Sequence, residues 1–208
     1  MDEFRVDFNC CLSKDFIFFF VVLFMVLLES QIKLKTGDQA PDFDLMGIDD
    51  KKHSLNDYKD YDGLLVVFIC NHCPYVKAKV EALKEIHEKF NGKVPLVGIN
   101  SNDSTNYPDD SFENMKKIAD EKGIKFDYLV DDSQEIAKKY GATCTPDPFL
   151  FDKDRKLVFH GRIDNAMNLD DSATEKTMID NMEKLLANEK IEKDFDPSIG
   201  CSIKWKEN

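Results

Sequence analysis

Two cysteines that end a long apolar run constrain the fold more than any other part of this chain. The run, Leu64–Ile69, is rich in branched side chains and predicts a strand that is buried on both faces. Downstream, apolar residues recur every three or four positions among lysines and glutamates, and this predicts an amphipathic helix: Val76, Val80, Leu83, Ile86 and Phe90. The motif Cys70-Asn71-His72-Cys73-Pro74 therefore lies where a central strand passes into a helix, the end of an α/β sheet that carries chemistry.

A helix start favours a reactive thiol. Its first N–H groups lack partners and its dipole favours negative charge, so a cysteine there ionises more easily. The spacing puts Cys70 and Cys73 on one helical turn, close enough to form a disulfide, and Pro74 fits the first helical position. His72 adds a cation or a hydrogen-bond donor beside Cys70. Because a stabilised thiolate favours the reduced form, the disulfide is expected to be oxidising.

Three other interpretations of the motif remain open. The cysteines are a zinc half-site, or two buried structural thiols, or part of a carrier in which Cys70 and Cys73 with His72 or His160 hold copper or zinc. A zinc site usually needs a second ligand pair, and the chain contains no second CxxC and no HxxxH. The sequence therefore favours redox chemistry and indicates neither a cofactor nor a resident metal.

Composition excludes some partners. The 208 residues carry a formal net charge of −12, which argues against nucleic acid or an anionic membrane surface as a partner. The six cysteines are scattered, two of them at Cys10 and Cys11, and do not form the framework of a small secreted domain. The cysteine count alone does not fix the compartment.

The first thirty residues differ from the rest of the chain. Phe16–Leu28 is an unbroken apolar run, which as a helix would span roughly 20 Å, less than a bilayer core. Three interpretations compete: a secretory signal or anchor, a helix packed on the domain, or a mispredicted start of the reading frame. We therefore treat residues 1–30 as an extension. A cytoplasmic core domain is expected, or a secretory or membrane-associated protein if the run is a signal or an anchor.

From Ile32 the chain alternates between strands and helices and then ends in two adjacent strands and a helix. Asp110 with Glu113 predicts a capping box for a helix that ends at Gly123, and the polar loop Asn100–Asn106 either lines the site or is a solvated connection. A C-terminal tail, residues 191–208, carries Cys201 and Trp205, and Trp205 is expected to anchor it. This order predicts an α/β sandwich whose sheet is parallel in its first part and antiparallel at its end.

The segment before the strand Phe149–Phe151 contains two closely spaced prolines. Thr145–Pro146 is a candidate cis bond. Asp147, between the prolines, is either a general acid or base near the sulfurs or a turn residue. Cys144 either relays a disulfide or is a small buried hydrophobe. Cys201 is expected to be a distal resolving thiol or a partner of Cys144.

The element order and these motifs resemble the thioredoxin fold over about residues 32–188. Three segments more narrowly resemble thioredoxin/peroxiredoxin-like redoxins of the thiol-specific-antioxidant type: Cys70–Val76, Thr145–Asp152 and Ser198–Trp205. The resemblance implies a thioredoxin-like domain at residues 31–190, built as a three-layer α/β/α sandwich with a mixed central sheet.

The resemblance also implies roles and partners. Cys70 would be the attacking thiol of a thiol–disulfide oxidoreductase, Cys73 the resolving thiol, and Pro146 a cis-proline that faces the disulfide. Such a proline leaves the adjacent backbone free to pair with an extended substrate. The expected partners are a disulfide-containing protein or a small-molecule thiol or peroxide, together with a dithiol electron donor or acceptor. A peroxiredoxin-like peroxidase is the alternative.

The chain departs from both parent families at the motif. Ile69 and Leu64 stand where thioredoxins have a tryptophan and a buried acid, which argues against efficient reduction of general protein disulfides. If Cys73 were the peroxidatic cysteine, Val66 and Cys70 would stand where peroxiredoxins have a proline and a threonine, so the peroxide-activating arrangement is missing. A histidine between the cysteines is similar to oxidising disulfide-exchange enzymes.

Overall fold

The computed structural model describes residues 27–167 and 171–207. The strands in this part of the chain are β1 (Leu27–Glu29), β2 (Asp44–Gly47), β3 (Lys52–Ser54), β4 (Gly63–Phe68), β5 (Leu96–Asn100), β6 (Asp127–Val130), β7 (Cys144–Thr145), β8 (Asp147–Asp152), β9 (Leu157–Gly161), β10 (Phe195–Asp196) and β11 (Ile199–Ser202). The α-helices are α1 (Pro74–Lys77), α2 (Val80–Phe90), α3 (Phe112–Lys122), α4 (Glu135–Tyr140) and α5 (Thr177–Leu186).

The described strands form a large central sheet and a small second sheet. The central sheet has the order β10-β9-β8-β4-β5-β6-β2-β3, and the second has the order β1-β11-β7. In the central sheet, β4, β5 and β6 are parallel to one another, whereas β8 pairs antiparallel with β4 and β9 antiparallel with β8. The sheet is therefore mixed, with its parallel part first along the chain, as the sequence predicts.

Strand β4 separates two hydrophobic cores. Its residues are all buried, and alternate side chains enter opposite cores: Leu65 and Val67 pack with α2, α3 and α5, whereas Leu64, Val66 and Phe68 pack with α4. A strand covered on both faces must be apolar throughout, which explains the continuous run in the sequence. The predicted three-layer α/β/α sandwich with a mixed sheet is confirmed.

The single helix predicted after the motif is divided into α1 and α2. The break falls at Lys79, which has φ −106° and ψ −4° and is only 7% exposed. Its ammonium group donates hydrogen bonds to the Asp164 carboxylate and the Ala166 carbonyl. Because the apolar positions on both sides stay in phase, periodicity does not reveal this break.

The predicted capping box at Asp110 is wrong. Helix α3 begins at Phe112, and the Ser111 hydroxyl accepts the capping hydrogen bond from the Asn114 N–H. Asp110 ends a short 3₁₀ turn before α3 and is buried, with 1% exposure. Its carboxylate is therefore directed into the protein rather than toward the helix end.

Both ends of the described chain join the fold. Leu27–Glu29, which the sequence assigns to the extension, pair antiparallel with Ile199–Cys201, and β10 pairs with β9. The domain therefore begins before residue 31 and includes much of the predicted tail. Trp205, the expected anchor of the tail, is 39% exposed, whereas Ile203 is 3% exposed and is the more deeply buried of the two.

The interpretations of residues 1–26 as a signal, an anchor or a mispredicted start lie outside the described residues. Among the helices of the described part, none is both long enough and apolar enough to cross a membrane.

Candidate active site

The cysteines of the CxxC motif lie at the junction of β4 and α1. Cys73 immediately precedes α1, and its carbonyl accepts a 3.0 Å hydrogen bond from the Lys77 N–H. Pro74 occupies the first helical position, where no hydrogen bond depends on an N–H. Both cysteines have free thiols, with residue exposures of 3% for Cys70 and 0% for Cys73. The junction is where the sequence predicts it, but the sequence did not reveal how deeply the thiols are buried.

Thr145 contacts both thiols. Its hydroxyl oxygen is 3.2 Å from the Cys70 sulfur, and its carbonyl oxygen accepts a 3.3 Å hydrogen bond from the Cys73 thiol. The next peptide bond, Thr145–Pro146, is cis. Strand β7 thus brings the segment with the two prolines directly against the CxxC motif.

A third cysteine reaches the motif from the C-terminal strand. Where β11 pairs antiparallel with β7, Cys201 lies opposite Thr145 and Ser202 lies opposite Cys144. The Cys201 thiol is buried in the same core as Cys70 and Cys73, and its interaction with Cys73 lowers the pKa of the Cys73 thiol. The backbone edge that we expected to be free for an extended substrate is therefore occupied by the protein's own β11. The physical reason is that this edge is a short strand, which any nearby extended segment can pair with.

The electrostatics of the motif differ from the sequence-based expectation for Cys70. Burial, then the hydrogen bond to Cys73 and the charge of Asp110, raises the pKa of the Cys70 thiol well above its ordinary value. By contrast, hydrogen bonds from the Cys201 and Cys70 thiols lower the pKa of Cys73. A smaller contribution comes from the backbone N–H of Val76, because α1 begins after Cys73 and not after Cys70. Negative charge in this cluster is thus favoured on Cys73.

His72 is held beside Cys70 by a buried carboxylate. Its Nδ1 lies 2.5 Å from Oδ2 of Asp110, and its ring stacks on Tyr107 with 5.6 Å between the centroids. A His72 ring nitrogen, an Asp110 carboxylate oxygen and the Cys70 sulfur all lie within 4.8 Å of one another. Histidine supported by a carboxylate and placed next to a thiol is an arrangement suited to proton transfer.

Asp110 is fixed by donors from two loops. The Asn71 N–H donates to its Oδ1 at 2.6 Å, and the Asn102 amide donates to its Oδ2 at 2.8 Å. Burial alone would raise the pKa of Asp110, but hydrogen bonds from His72, Asn102 and the Asn71 N–H lower it below its ordinary value. The polar loop is therefore divided: Asn100–Asp103 are buried and Asn102 contacts Asp110, whereas Thr105 and Asn106 are exposed.

Sequence reasoning missed Asp110, Asn102 and Tyr107. The available signal was the density of Asn and Asp after β5, at the sheet end that carries the motif. That signal does not show which of these side chains reaches His72, because Asp110 and His72 are 38 positions apart along the chain.

The same donors bear on the metal-carrier interpretation. In the described part of the chain, Cys70, His72 and Asp110 are grouped closely enough to hold an ion, a set that includes neither Cys73 nor His160. Both Asp110 oxygens and the His72 Nδ1 already take part in hydrogen bonds. The carrier interpretation, with Cys70, Cys73 and His72 or His160 as ligands, stays a prediction.

Asp147 and His160 form a separate buried pair. His160 Nε2 is 2.7 Å from Asp147 Oδ1, and the His160 ring stacks on Phe149 at 4.0 Å. Burial raises the pKa of Asp147, although the hydrogen bond to His160 opposes this shift. Burial, followed by the charge of Asp147, also raises the pKa of Cys144, so its thiol is held neutral. Asp147 is therefore not a turn residue, and Cys144 fits the small buried hydrophobe.

A small cleft opens beside Pro146. Its volume is about 70 Å³, and it is lined by Tyr75 of α1, by Ala166 and Met167, and by Pro197–Ile199 before and within β11. A much larger cavity, about 760 Å³, lies at the other end of β4 near Asp62 and Asp152. We assign the approach to the thiols to the small cleft, because the larger cavity lies away from the cysteines.

Comparisons with known proteins agree with this geometry. Residues 36–160 match the AhpC/TSA family. The crystal structure of an uncharacterized conserved protein from Geobacillus kaustophilus is similar with a TM-score of 0.83 and 41% identity, over 88% of this chain and 98% of that one.

Two thiol–disulfide oxidoreductases are more distant relatives. ResA of Bacillus thuringiensis (strain Al Hakam) is 28% identical over 127 residues, which cover 61% of this chain and 69% of that protein. The thioredoxin domain of an oxidoreductase from Bacteroides vulgatus has a TM-score of 0.54 at 23% identity, over 62% of this chain and 89% of that one. The fold is thus thioredoxin-like.

Proposed function

The chain belongs to the AhpC/TSA family, and from this membership we propose that it is a thiol–disulfide oxidoreductase that cycles Cys70 and Cys73 between dithiol and disulfide. One observation carries the proposal: two thiols share Thr145 as a partner at a helix start, and one of them adjoins the His72–Asp110 pair. Exchange requires a thiol, a proton acceptor and a second thiol within reach, and this arrangement supplies all three.

Cys70 makes the first attack on one sulfur of the substrate disulfide. Its high pKa means that it must lose a proton during the reaction. His72 takes up that proton, because one of its ring nitrogens lies within 4.8 Å of the Cys70 sulfur and Asp110 holds its Nδ1 in place. The substrate S–S bond breaks as the Cys70–substrate bond forms, and the departing sulfur leaves as a thiolate.

Cys73 then resolves the mixed disulfide. With 0% exposure it is shielded from an external substrate; its thiol donates to the Thr145 carbonyl, and its lowered pKa favours loss of that proton when it attacks the Cys70 sulfur. That attack forms the Cys70–Cys73 disulfide and releases the second substrate thiol. A dithiol donor afterwards restores both cysteines, and the oxidising direction is the reverse sequence.

Trapping tests the two roles. Cys73→Ser, treated with oxidised glutathione, is expected to accumulate glutathione on Cys70, because the resolving thiol is gone. The matched control is Cys144→Ser, since Cys144 is equally buried but has a thiol held neutral. Intact-mass spectrometry and peptide mapping measure the adduct. An unmodified Cys70 in the Cys73→Ser variant, under conditions that oxidise the wild type, would refute the mechanism.

Peroxide reduction by the same dithiol is the second candidate. The burial of both thiols and the cleft volume of about 70 Å³ beside Pro146 support it, because hydrogen peroxide is a small substrate. In this reaction Cys70 attacks the peroxide oxygen, becomes a sulfenic acid, and condenses with Cys73 to form the disulfide and water. Consumption of hydrogen peroxide and of oxidised glutathione, compared at equal concentration with one dithiol reductant, separates the two substrates.

A further inference from the structure

The C-terminal strand lies where an extended substrate would pair with the motif. Strand β11 occupies the edge of β7 on one side and pairs with β1 on the other, so it is the central strand of the small sheet. Its register places Cys201 opposite Thr145, the residue that contacts both motif thiols. A cysteine that belongs to the protein thus holds the position from which a substrate cysteine would approach.

Gly200 makes this close approach possible. A Cβ at this position would lie 2.0 Å from the Thr145 carbonyl oxygen and 3.2 Å from the Pro146 nitrogen. Only a residue without a side chain lets the two backbones come so near. The next residue, Cys201, is thereby brought against the CxxC motif.

Cys73 is the common neighbour of two thiols. Thr145 contacts the thiols of Cys70 and Cys73 and lies opposite Cys201 in the β7–β11 pairing. All three cysteines belong to the same buried core, which shields them from bulk water. The geometry thus offers Cys73 two partners for a disulfide.

We propose that Cys201 is a third redox-active cysteine, which replaces Cys70 as the disulfide partner of Cys73. This step rests on the proposed function, because it begins from the Cys70–Cys73 disulfide. The Cys201 sulfur attacks Cys73, the Cys70–Cys73 bond breaks, and a Cys73–Cys201 bond forms. The proton lost by Cys201 ends on Cys70. One disulfide replaces another, so no oxidant is consumed, and the dithiol donor of the catalytic cycle later reduces the new bond.

The exchange has a consequence for the cycle. It returns Cys70, the substrate-facing thiol, to its reduced form while the oxidised bond is retained between two buried sulfurs. It also ties β11 covalently to the start of α1. The oxidised protein is accordingly a mixture of two disulfide isomers.

Disulfide mapping of the full chain tests this inference. Wild type and Cys70→Ser are oxidised with glutathione disulfide, alkylated, digested without reduction and analysed by mass spectrometry. In Cys70→Ser, Cys73 has lost its first partner. We expect the amount of Cys73–Cys201 disulfide to exceed that of any Cys73–Cys144 disulfide by about tenfold or more, which is a tenfold ratio in the exchange constant. The wild type is expected to contain both Cys70–Cys73 and Cys73–Cys201.

Cys201→Ser and Cys201→Ala are the matched variants. Both are expected to form Cys70–Cys73 alone, and thermal melting of the two shows whether the fold is retained. If oxidised wild type contains only Cys70–Cys73, and Cys73 of the Cys70→Ser variant binds glutathione while Cys201 stays reduced, the relay is refuted and the proposed function stands. Failure of the wild type to form Cys70–Cys73 would refute both.

Discussion

At the scale of single residues, the site depends on a carboxylate that looks unremarkable in the sequence. Asp110 lies in a short turn, yet it receives His72, Asn102 and the Asn71 N–H. A buried carboxylate needs such donors, because an unpaired charge in the interior is costly. The same contacts fix the imidazole next to Cys70, so the structural need and the chemistry are met by one group.

Asp110→Asn is expected to separate two properties of Cys70. The charge of Asp110 raises the pKa of Cys70, so its removal is expected to move the midpoint of Cys70 alkylation by iodoacetamide to lower pH. Turnover of oxidised glutathione is nevertheless expected to fall by about 10²-fold or more, because His72 loses the carboxylate that positions its ring beside Cys70.

The matched control is Asp109→Asn, which changes an exposed neighbour. It is expected to leave both the alkylation midpoint and the turnover unchanged. A midpoint that rises in Asp110→Asn, or a turnover equal to that of the control, would contradict the assigned role of the pair.

At the scale of elements, two short segments hold the site in place: α1 with the break that follows it, and β11 with the edge that it covers. Both depend on contacts with distant parts of the chain. Lys79 at the break reaches Asp164, and Gly200 in β11 lies on Thr145. Neither element has enough residues to be stable alone, so these contacts set their position.

Gly200→Ala is expected to displace β11. The added Cβ meets backbone rather than a flexible side chain, so the free energy of unfolding is expected to fall by about 1–3 kcal/mol. Cys201 is expected to react faster with iodoacetamide than in the wild type. Gly92→Ala is the control, because a Cβ there meets nothing within 4 Å. Equal alkylation rates of Cys201 in the two variants would contradict the tight docking of β11.

Lys79→Met is expected to leave the buried Asp164 without its partner. Since the two side chains are 9% and 7% exposed, the expected loss in the free energy of unfolding is about 3–5 kcal/mol. Lys77→Met changes an exposed lysine of α1 and is expected to cost at most about 0.5 kcal/mol. Urea denaturation measures both, and similar losses in the two variants would show that the ion pair does not stabilise the break.

At the scale of the whole molecule, two buried carboxylates, Asp147 in β8 and Asp110 in the turn before α3, have pKa values shifted in opposite directions. The pKa of Asp147 is raised by burial, whereas hydrogen bonds lower that of Asp110 despite its burial. Their effects on stability therefore oppose each other along the pH axis. The contribution of Asp147 to stability is fully present at pH values below its ordinary pKa of 3.8, and it is lost as the pH rises through the raised folded-state pKa.

Asp110 contributes above its ordinary pKa of 3.8, and that contribution is lost as the pH falls through the lowered folded-state pKa. As the pH rises from about 4, the wild type is thus expected to lose stability relative to Asp147→Asn. As the pH falls below about 4, the wild type is expected to lose stability relative to Asp110→Asn. Urea denaturation at a series of pH values measures the differences. A difference that does not change with pH would refute the corresponding shift.

The sequence by itself determined the parts of the protein that depend on local pattern. Continuous apolarity predicts the doubly covered β4, periodicity predicts the helix face that follows, and the two together put Cys70 and Cys73 at the strand-to-helix junction. A helix repeats every 3.6 residues and a strand every two, so the local sequence shows which faces of these elements are apolar and must be covered.

Only the tertiary structure decided which distant residues complete the site. Asp110 reaches His72, β11 brings Cys201 to Cys73, and Lys79 interrupts the helix to meet Asp164. Each of these depends on the register of a strand or the path of a loop far along the chain, which no local periodicity encodes. The sequence predicts the more acidic thiol at Cys70, but the pKa of Cys70 is raised and that of Cys73 is lowered. These shifts depend on burial and on hydrogen-bond donors, which only the folded structure supplies.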